Sequence, residues 1–258
     1  MKLKIFKITI TLLTVLFCVS VLTTSLLAES SRGWYIKRRG NLRPDFPSDA
    51  DCLSDYNAVC IDENYPDSRE EKKLYLTFDA GYENGNVEKI LDILKEENVP
   101  AAFFLLDNII LKNPDLVKRM KDEGHLVCNH TKRHADISMM SKDEIKKDLS
   151  SLEKICRETT GVEMEKIFRF PEGKYSIYAL QNLKELGYKT VFWSFAYDDW
   201  DNNRQMSLEK AKNKILENTH NGEIILLHPT SETNVKILSS LICQWREMGY
   251  EFGNLNEI

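Results

Sequence analysis

No C-x-x-C spacing occurs among the six cysteines of this 258-residue chain, so a structural zinc knuckle has no ligand set to draw on. A surplus of positive charge is also missing. Lysine and arginine total 35 against 40 aspartates and glutamates, a formal net charge of −5, and a nucleic-acid partner is excluded on that ground. The one short basic run, Lys37-Arg38-Arg39, reads as a solvated loop. Charge of either sign is absent from Ile8 to Ala28. Lys2, Lys4 and Lys7 come before that stretch, and a basic start ahead of an apolar run marks an export signal. The run is also about as long as a membrane-spanning helix needs. Residues 1–28 are therefore expected to be a signal peptide or membrane anchor, with the remainder exported and touching the membrane only through that segment.

The overall composition, 42% hydrophobic and 29% charged, is that of an ordinary soluble globule. It has length for one domain of about 200 residues beyond a leader and an extension. Cys18 belongs to the leader. Cys52 and Cys60 sit in a polar stretch and are candidates to pair outside the cell. Cys128, Cys156 and Cys243 fall on apolar patterns and read as buried thiols. Residues 29–72, punctuated by Pro44, Pro47, Pro66, Gly33 and Gly40, read as an extension lying against a catalytic body at 73–258.

From residue 73 a rhythm sets in. Leu74–Phe78, Ala101–Leu106, His125–Cys128, Ile167–Phe170, Thr190–Ser194 and Glu223–Leu227 are apolar enough for strands. Helical spacing fills the gaps: Pro114 suits a first turn, and Ser141 with Glu144 suits a capping box. Alternating strands and helices predict parallel β/α units. About seven repeats suit a distorted (β/α) barrel, with a doubly wound open sheet as the other arrangement. In both, functional residues gather at the C-terminal ends of the strands.

The chemistry-bearing residues do gather there. Asp79, in Thr77-Phe78-Asp79-Ala80-Gly81 with Tyr82 following, is a carboxylate closing an apolar strand. Burial of such a group is costly without a task or a partner, although Asp-x-Gly alone also describes a turn. His130 and His134, four apart, would share a face on a helical turn and could share one zinc. Arg169, in Arg169-Phe170-Pro171-Glu172-Gly173, can grip a carboxylate in a fixed fork. Asp198-Asp199-Trp200 follows the next strand. His228 ends a very apolar one, where a carboxylate partner would make it a usable acid.

In this order and placement the motifs TFDAG, HTKRH, RFPEG, DDW and LLH resemble those of the NodB-homology polysaccharide deacetylases, carbohydrate esterase family four, from about Lys73 to Ile258. The strings TFDAGYENG and FWSFAYDDW and the Gly33-Trp34 extension resemble the muramic-δ-lactam branch of spore cortex. The resemblance implies Asp79 as general base, Arg169 as its orienting cation, His228 as acid and Asp199 as its tether. It implies His130 and His134 as metal ligands, the backbone near Glu172 and Gly173 as oxyanion donor, and Tyr82 and Trp200 as groove walls. Two departures stand out: Ala80 replaces the second aspartate, itself a metal ligand, and Ala196 the first aspartate of the fourth motif. The implied cofactor is thus a divalent metal such as zinc, weakly bound, and the implied partner is a peptidoglycan glycan strand. The implied activity is N-acetylmuramic acid deacetylation. The alternatives are N-acetylglucosamine deacetylation and a catalytically silent wall-glycan-binding protein.

Overall fold

The structure, a computed structural model, describes residues 30–258. The expected signal or anchor lies outside the described residues. Among those described, no helix is long and apolar enough to cross a membrane.

The central strand is β5 (Lys72–Ala80). It lies between β6 (Ala101–Leu105) and β12 (Glu223–Leu227), and its first residues also pair with β13 (Tyr250–Phe252). The sheet continues through β7 (Leu126–Asn129) and β8 (Ile167–Phe168) to β10 (Lys189–Val191), every ladder parallel. Helices α1 (Val87–Glu96), α2 (Asp107–Lys112), α3 (Pro114–Asp122), α4 (Lys142–Thr160), α5 (Ile177–Glu185), α6 (Leu208–Leu216) and α7 (Glu232–Glu247) connect the strands. The α4 start carries the full Ser141–Glu144 capping box. Curled in this way, the sheet is a distorted (β/α) barrel.

Period-2 alternation explains its two apolar layers. Tyr75, Phe104, Leu126, Cys128, Val191 and Ile224 pack together in the interior. Leu74, Leu76, Phe78, Phe103 and Ile225 point outward under helix residues such as Ile90, Leu91 and Trp245. On that alternation Asp79 follows Tyr75 and Thr77 on the inner face, whereas Ala80 is fully buried in the helix-facing layer.

The barrel is closed by one broken strand. The run 189–196 starts as β10, is interrupted at 192–194, and resumes as β11 (Phe195–Ala196) against β12. The Phe192 N–H donates to the Val59 carbonyl at 2.8 Å, and the Ser194 N–H donates to the Ile224 carbonyl at 3.0 Å. One short length of chain therefore bonds to both margins of the sheet. Val59 belongs to β4 (Ala58–Val59), a strand contributed by the extension, which pairs with β10.

The rest of the extension lies over this seam. Strand β1 (Arg32–Gly33) pairs with β9 (Lys174–Tyr175), and β2 (Lys37–Arg39) pairs with β3 (Leu42–Asp45). Trp34 is 6% exposed and stacks on Phe192 at 4.5 Å between ring centroids and on Phe46 at 5.7 Å. Its indole N–H donates to the Trp193 carbonyl at 3.0 Å. The basic run Lys37-Arg38-Arg39 is exposed but lies on β2, not in a loop.

Two cysteine expectations are corrected. Cys52 and Cys60 are free thiols: Cys60 is buried in the seam, and the Cys52 Sγ lies 2.9 Å from the Asp49 carbonyl. Cys243 is exposed on α7, because the apolar stripe of that helix runs through Ile237, Leu238, Leu241, Ile242 and Trp245 instead.

Candidate active site

Asp79 uses its two oxygens differently. Oδ1 accepts from Arg169 Nη1 at 2.9 Å, and Oδ2 lies 3.5 Å from His130 Nε2. Burial alone would raise the pKa of this carboxyl, but attraction from His130, Arg169 and His228 outweighs it and holds the group below its ordinary value. Burial brings His130 down to about 4, so near neutral pH its ring is uncharged, and of the attracting groups Arg169 is the one hydrogen-bonded to the carboxylate. The guanidinium is fully buried and held on all sides. Nε donates to the Val191 carbonyl at 3.1 Å and Nη2 to the Phe192 carbonyl at 3.2 Å, while the group lies over the Phe104 ring at 4.1 Å. The broken strand that closes the barrel thus fixes the arginine that orients Asp79.

His130 and His134 do meet, with ring centroids 5.1 Å apart, but not on a helical turn as the spacing suggested. They sit on a tight loop in which Thr131 (φ 67°) and His134 (φ 57°) are left-handed. The loop is pinned by the Asn129 side chain, which accepts from the Thr131 N–H at 3.0 Å, and by Thr131 Oγ1, which accepts from the Ala135 N–H at 2.9 Å. His130 Nδ1 is 2.9 Å from the Arg169 carbonyl. A carbonyl only accepts, so Nδ1 carries the proton and Nε2 turns a lone pair toward Asp79 Oδ2. Two acceptors therefore face each other across a gap suited to a water or a cation. As a metal site the donor set is incomplete. Among the described residues no group of three or more His, Cys, Asp or Glu side chains is placed to hold a metal ion, and Ala80 lies in the apolar layer. Two imidazoles fall short of the usual three protein ligands.

Opposite Asp79 stands His228, with Nδ1 2.7 Å from Asp199 Oδ1 and its backbone N–H donating to Asp199 Oδ2 at 2.7 Å. Burial pulls the imidazole pKa down. Attraction and hydrogen bonding from Asp199, aided by Asp79, more than offset it, so the pKa lies above the ordinary histidine value. The tethered Nδ1 leaves Nε2 for the pocket. Asp199 is 1% exposed and also accepts from Asn234 Nδ2 at 2.6 Å. Asn234 in turn accepts from the Tyr197 hydroxyl. Sequence reading passed over both residues. The only signal was position: Asn234 lies in the first turn of α7, where asparagine ordinarily means capping.

Asp79, His130, His134, Glu172, Trp200, Tyr82 and His228 line one cavity of about 730 Å³. Trp193, Ala196, Tyr197 and Thr230 also line it; of these the sequence suggested only Ala196 as a motif position. Trp200 is 62% exposed on the rim, and the Tyr82 hydroxyl accepts from Asn202 Nδ2 at 2.6 Å. Glu172 is left-handed (φ 55°) and pairs with Lys174 Nζ at 2.8 Å. Gly173 lies below the rim instead of on it. At its φ of +67° a Cβ would meet Trp193 and Trp34 at 2.9 Å, and its N–H donates to the Phe170 carbonyl at 3.1 Å.

A base–arginine pair and an acid–carboxylate pair facing one cavity are what hydrolysis of an amide requires. A family model described as polysaccharide deacetylase matches residues 67–191. The chain is 36% identical over 227 residues to the peptidoglycan-N-acetylmuramic acid deacetylase PdaA of Bacillus subtilis, covering 87% of this chain and 84% of that one. It is 31% identical to a peptidoglycan-N-acetylglucosamine deacetylase of Bacillus cereus, covering 73% and 88%. The solved structure of Bacillus subtilis PdaA, a family 4 carbohydrate esterase, superposes with a TM-score of 0.82 at 35% identity, covering 88% of this chain and 96% of that one.

Proposed function

Because the chain belongs to the polysaccharide deacetylases of carbohydrate esterase family four, we propose that it removes the acetyl group from N-acetylmuramic acid in peptidoglycan strands. The observation that carries the reading is the convergence of Asp79–Arg169 and His228–Asp199 on one cavity, which a silent binding module has no need of. A water lying against Asp79 Oδ2 and His130 Nε2 donates one O–H to each. As its oxygen attacks the acetyl carbonyl carbon, Asp79 takes the proton. The Glu172 backbone N–H receives the oxyanion, a contribution usually worth about 10²–10³ in rate. His228 Nε2 then gives its proton to the sugar nitrogen, the C–N bond breaks, and acetate and a free amine leave.

The muramic choice draws on the similarity to PdaA and on the rim chemistry. A muramic residue carries a lactyl carboxylate, and Glu172 on the cavity wall is neutralised by Lys174, so it does not present an unpaired negative charge to such a group. On this substrate the freed amine condenses with the lactyl carboxyl group, releasing water, to close a δ-lactam, the modification of spore cortex. The glucosamine reading has support in the Bacillus cereus relative. Peptide-free glycan strands and N-acetylglucosamine oligomers, offered side by side with acetate release measured, separate the two. Release from the oligomers alone overturns the muramic choice.

Two further parts of the reading go with it. His130 Nε2 and His134 would hold a divalent ion such as zinc weakly and exchangeably in place of the water's hydrogen bond to His130, and the ion would lower the pKa of that water, while Asp79, Glu172 and His228 keep their roles. The catalytic body is exported, on the grounds of the basic start and the apolar run Ile8–Leu27. A tag at Ile258 that stays protected from protease in intact protoplasts would contradict export.

A further inference from the structure

Asn234 is 1% exposed in the first turn of α7, and its side-chain amide is fully engaged. Nδ2 donates to Asp199 Oδ2 at 2.6 Å and to the His228 carbonyl at 3.1 Å, and Oδ1 accepts from the Tyr197 hydroxyl. The orientation of the amide is set by chemistry. A carboxylate and a carbonyl only accept, so the nitrogen has to face them, and the oxygen is left for the one available donor. The backbone of Asn234 is fixed as well, because its N–H donates to Ser231 Oγ, the cap of α7, at 3.1 Å.

One side chain therefore holds both halves of the acid: the carboxylate that charges the imidazole and the backbone of the residue that carries it. We propose that Asn234, steadied by Tyr197, is the positioning residue that keeps Asp199 against His228 and so keeps the leaving-group acid protonated. Tyr197 also lines the cavity, which extends the network from the substrate wall to the helix cap. Its hydroxyl keeps its proton, since burial and the Asp199 charge push its pKa up. The role of the acid rests on the function proposed above; the positioning of Asp199 does not.

The groups facing His228 are Asp199 from the loop after β11, Asp79 from β5 and Arg169 from the chain after β8. Of these only Asp199 is hydrogen-bonded to it. Without Asn234, Asp199 Oδ2 loses a donor in a buried site, and turning away from the ring becomes the better arrangement. Burial then acts on His228 with less opposition, and its pKa falls.

The test follows the His228 Cε1–H resonance across pH in the whole protein, alongside kcat and KM for acetate release from peptide-free glycan strands. In Asn234→Leu the titration midpoint is expected to fall by about one pH unit or more. The alkaline limb of the kcat profile should fall with it, while KM changes by less than about twofold. Tyr197→Phe, which removes one hydroxyl and keeps the ring, should shift both in the same direction by less, and it serves if Asn234→Leu does not fold. A midpoint that stays put while turnover drops overturns the proposal and leaves Asn234 a structural residue. A midpoint that falls while the kcat profile does not move upholds the positioning and instead overturns His228 as the acid.

Discussion

Asp79 separates two tasks onto two oxygens: Oδ1 is held by Arg169 and Oδ2 faces His130. Asparagine at this position keeps the size and the Arg169 contact but takes up no proton. Asp79→Asn is therefore expected to fold normally and lose nearly all acetate release, and retention of more than about a tenth of the wild-type rate would remove Asp79 as base. Calorimetric titration with zinc should give weak binding that disappears in His134→Ala. Tight binding unchanged by that substitution puts the ion elsewhere. Adding an aspartate at Ala80 is a poor way to complete the site, because that side chain lies in the helix-facing core and a carboxylate buried there is costly. At this scale the strand-end residues were legible, since a charge closing an apolar strand is conspicuous. Asn234 and Tyr197 were not, because a hydrogen-bonded neutral residue leaves no such mark.

Among elements, the long strands and helices were legible from their periodicity: Glu223–Leu227 was read with the bounds the structure has. The seam was less so. Ala58–Val59 is too short to show a pattern, and the stretch read as a single strand, Thr190–Ser194, is in fact broken at Phe192–Ser194. The break is set by contacts with Val59 and Ile224, far away in sequence, so no local pattern encodes it. It matters to the site because it aims Trp193 into the cavity and presents two carbonyls to Arg169. Trp34 backs this segment. Trp34→Ala should cost about 3–5 kcal/mol, on the order of 10 °C in melting temperature. It should also slow turnover, because Arg169 loses its fixed acceptors. Calorimetry and acetate release on the same sample check this, and an unchanged melting temperature would mean the extension is dispensable.

For the molecule as a whole, Glu223 is a liability at the base of the barrel. It is fully buried, its Oε2 accepts from the His220 N–H at 3.2 Å, and its Oε1 has no partner. Burial pushes its pKa well above the ordinary value, against that one hydrogen bond. The sign of the effect on stability follows. Below about pH 4.5 the group is neutral whether folded or unfolded, and its contribution is fully present. As pH rises toward the folded value, the unfolded chain ionises first and stability is lost. Glu223→Gln should therefore melt higher than the parent at neutral pH and show a flatter decline between about pH 5 and 8. Parallel melting curves that keep their separation across that range would mean Glu223 is already ionised in the fold.

The broken closing strand also makes turnover a clock for assembly. The Arg169 clamp needs residues 191 and 192 in place, their seat needs Trp34, and the Trp34–Trp193 hydrogen bond spans 159 positions of chain. Contacts that distant close late in folding, after local helices and neighbouring strand pairs have formed. On dilution from denaturant, the far-ultraviolet helix signal should recover first and acetate release distinctly later. The delay between them times the docking of the N-terminal extension onto residues 192–193.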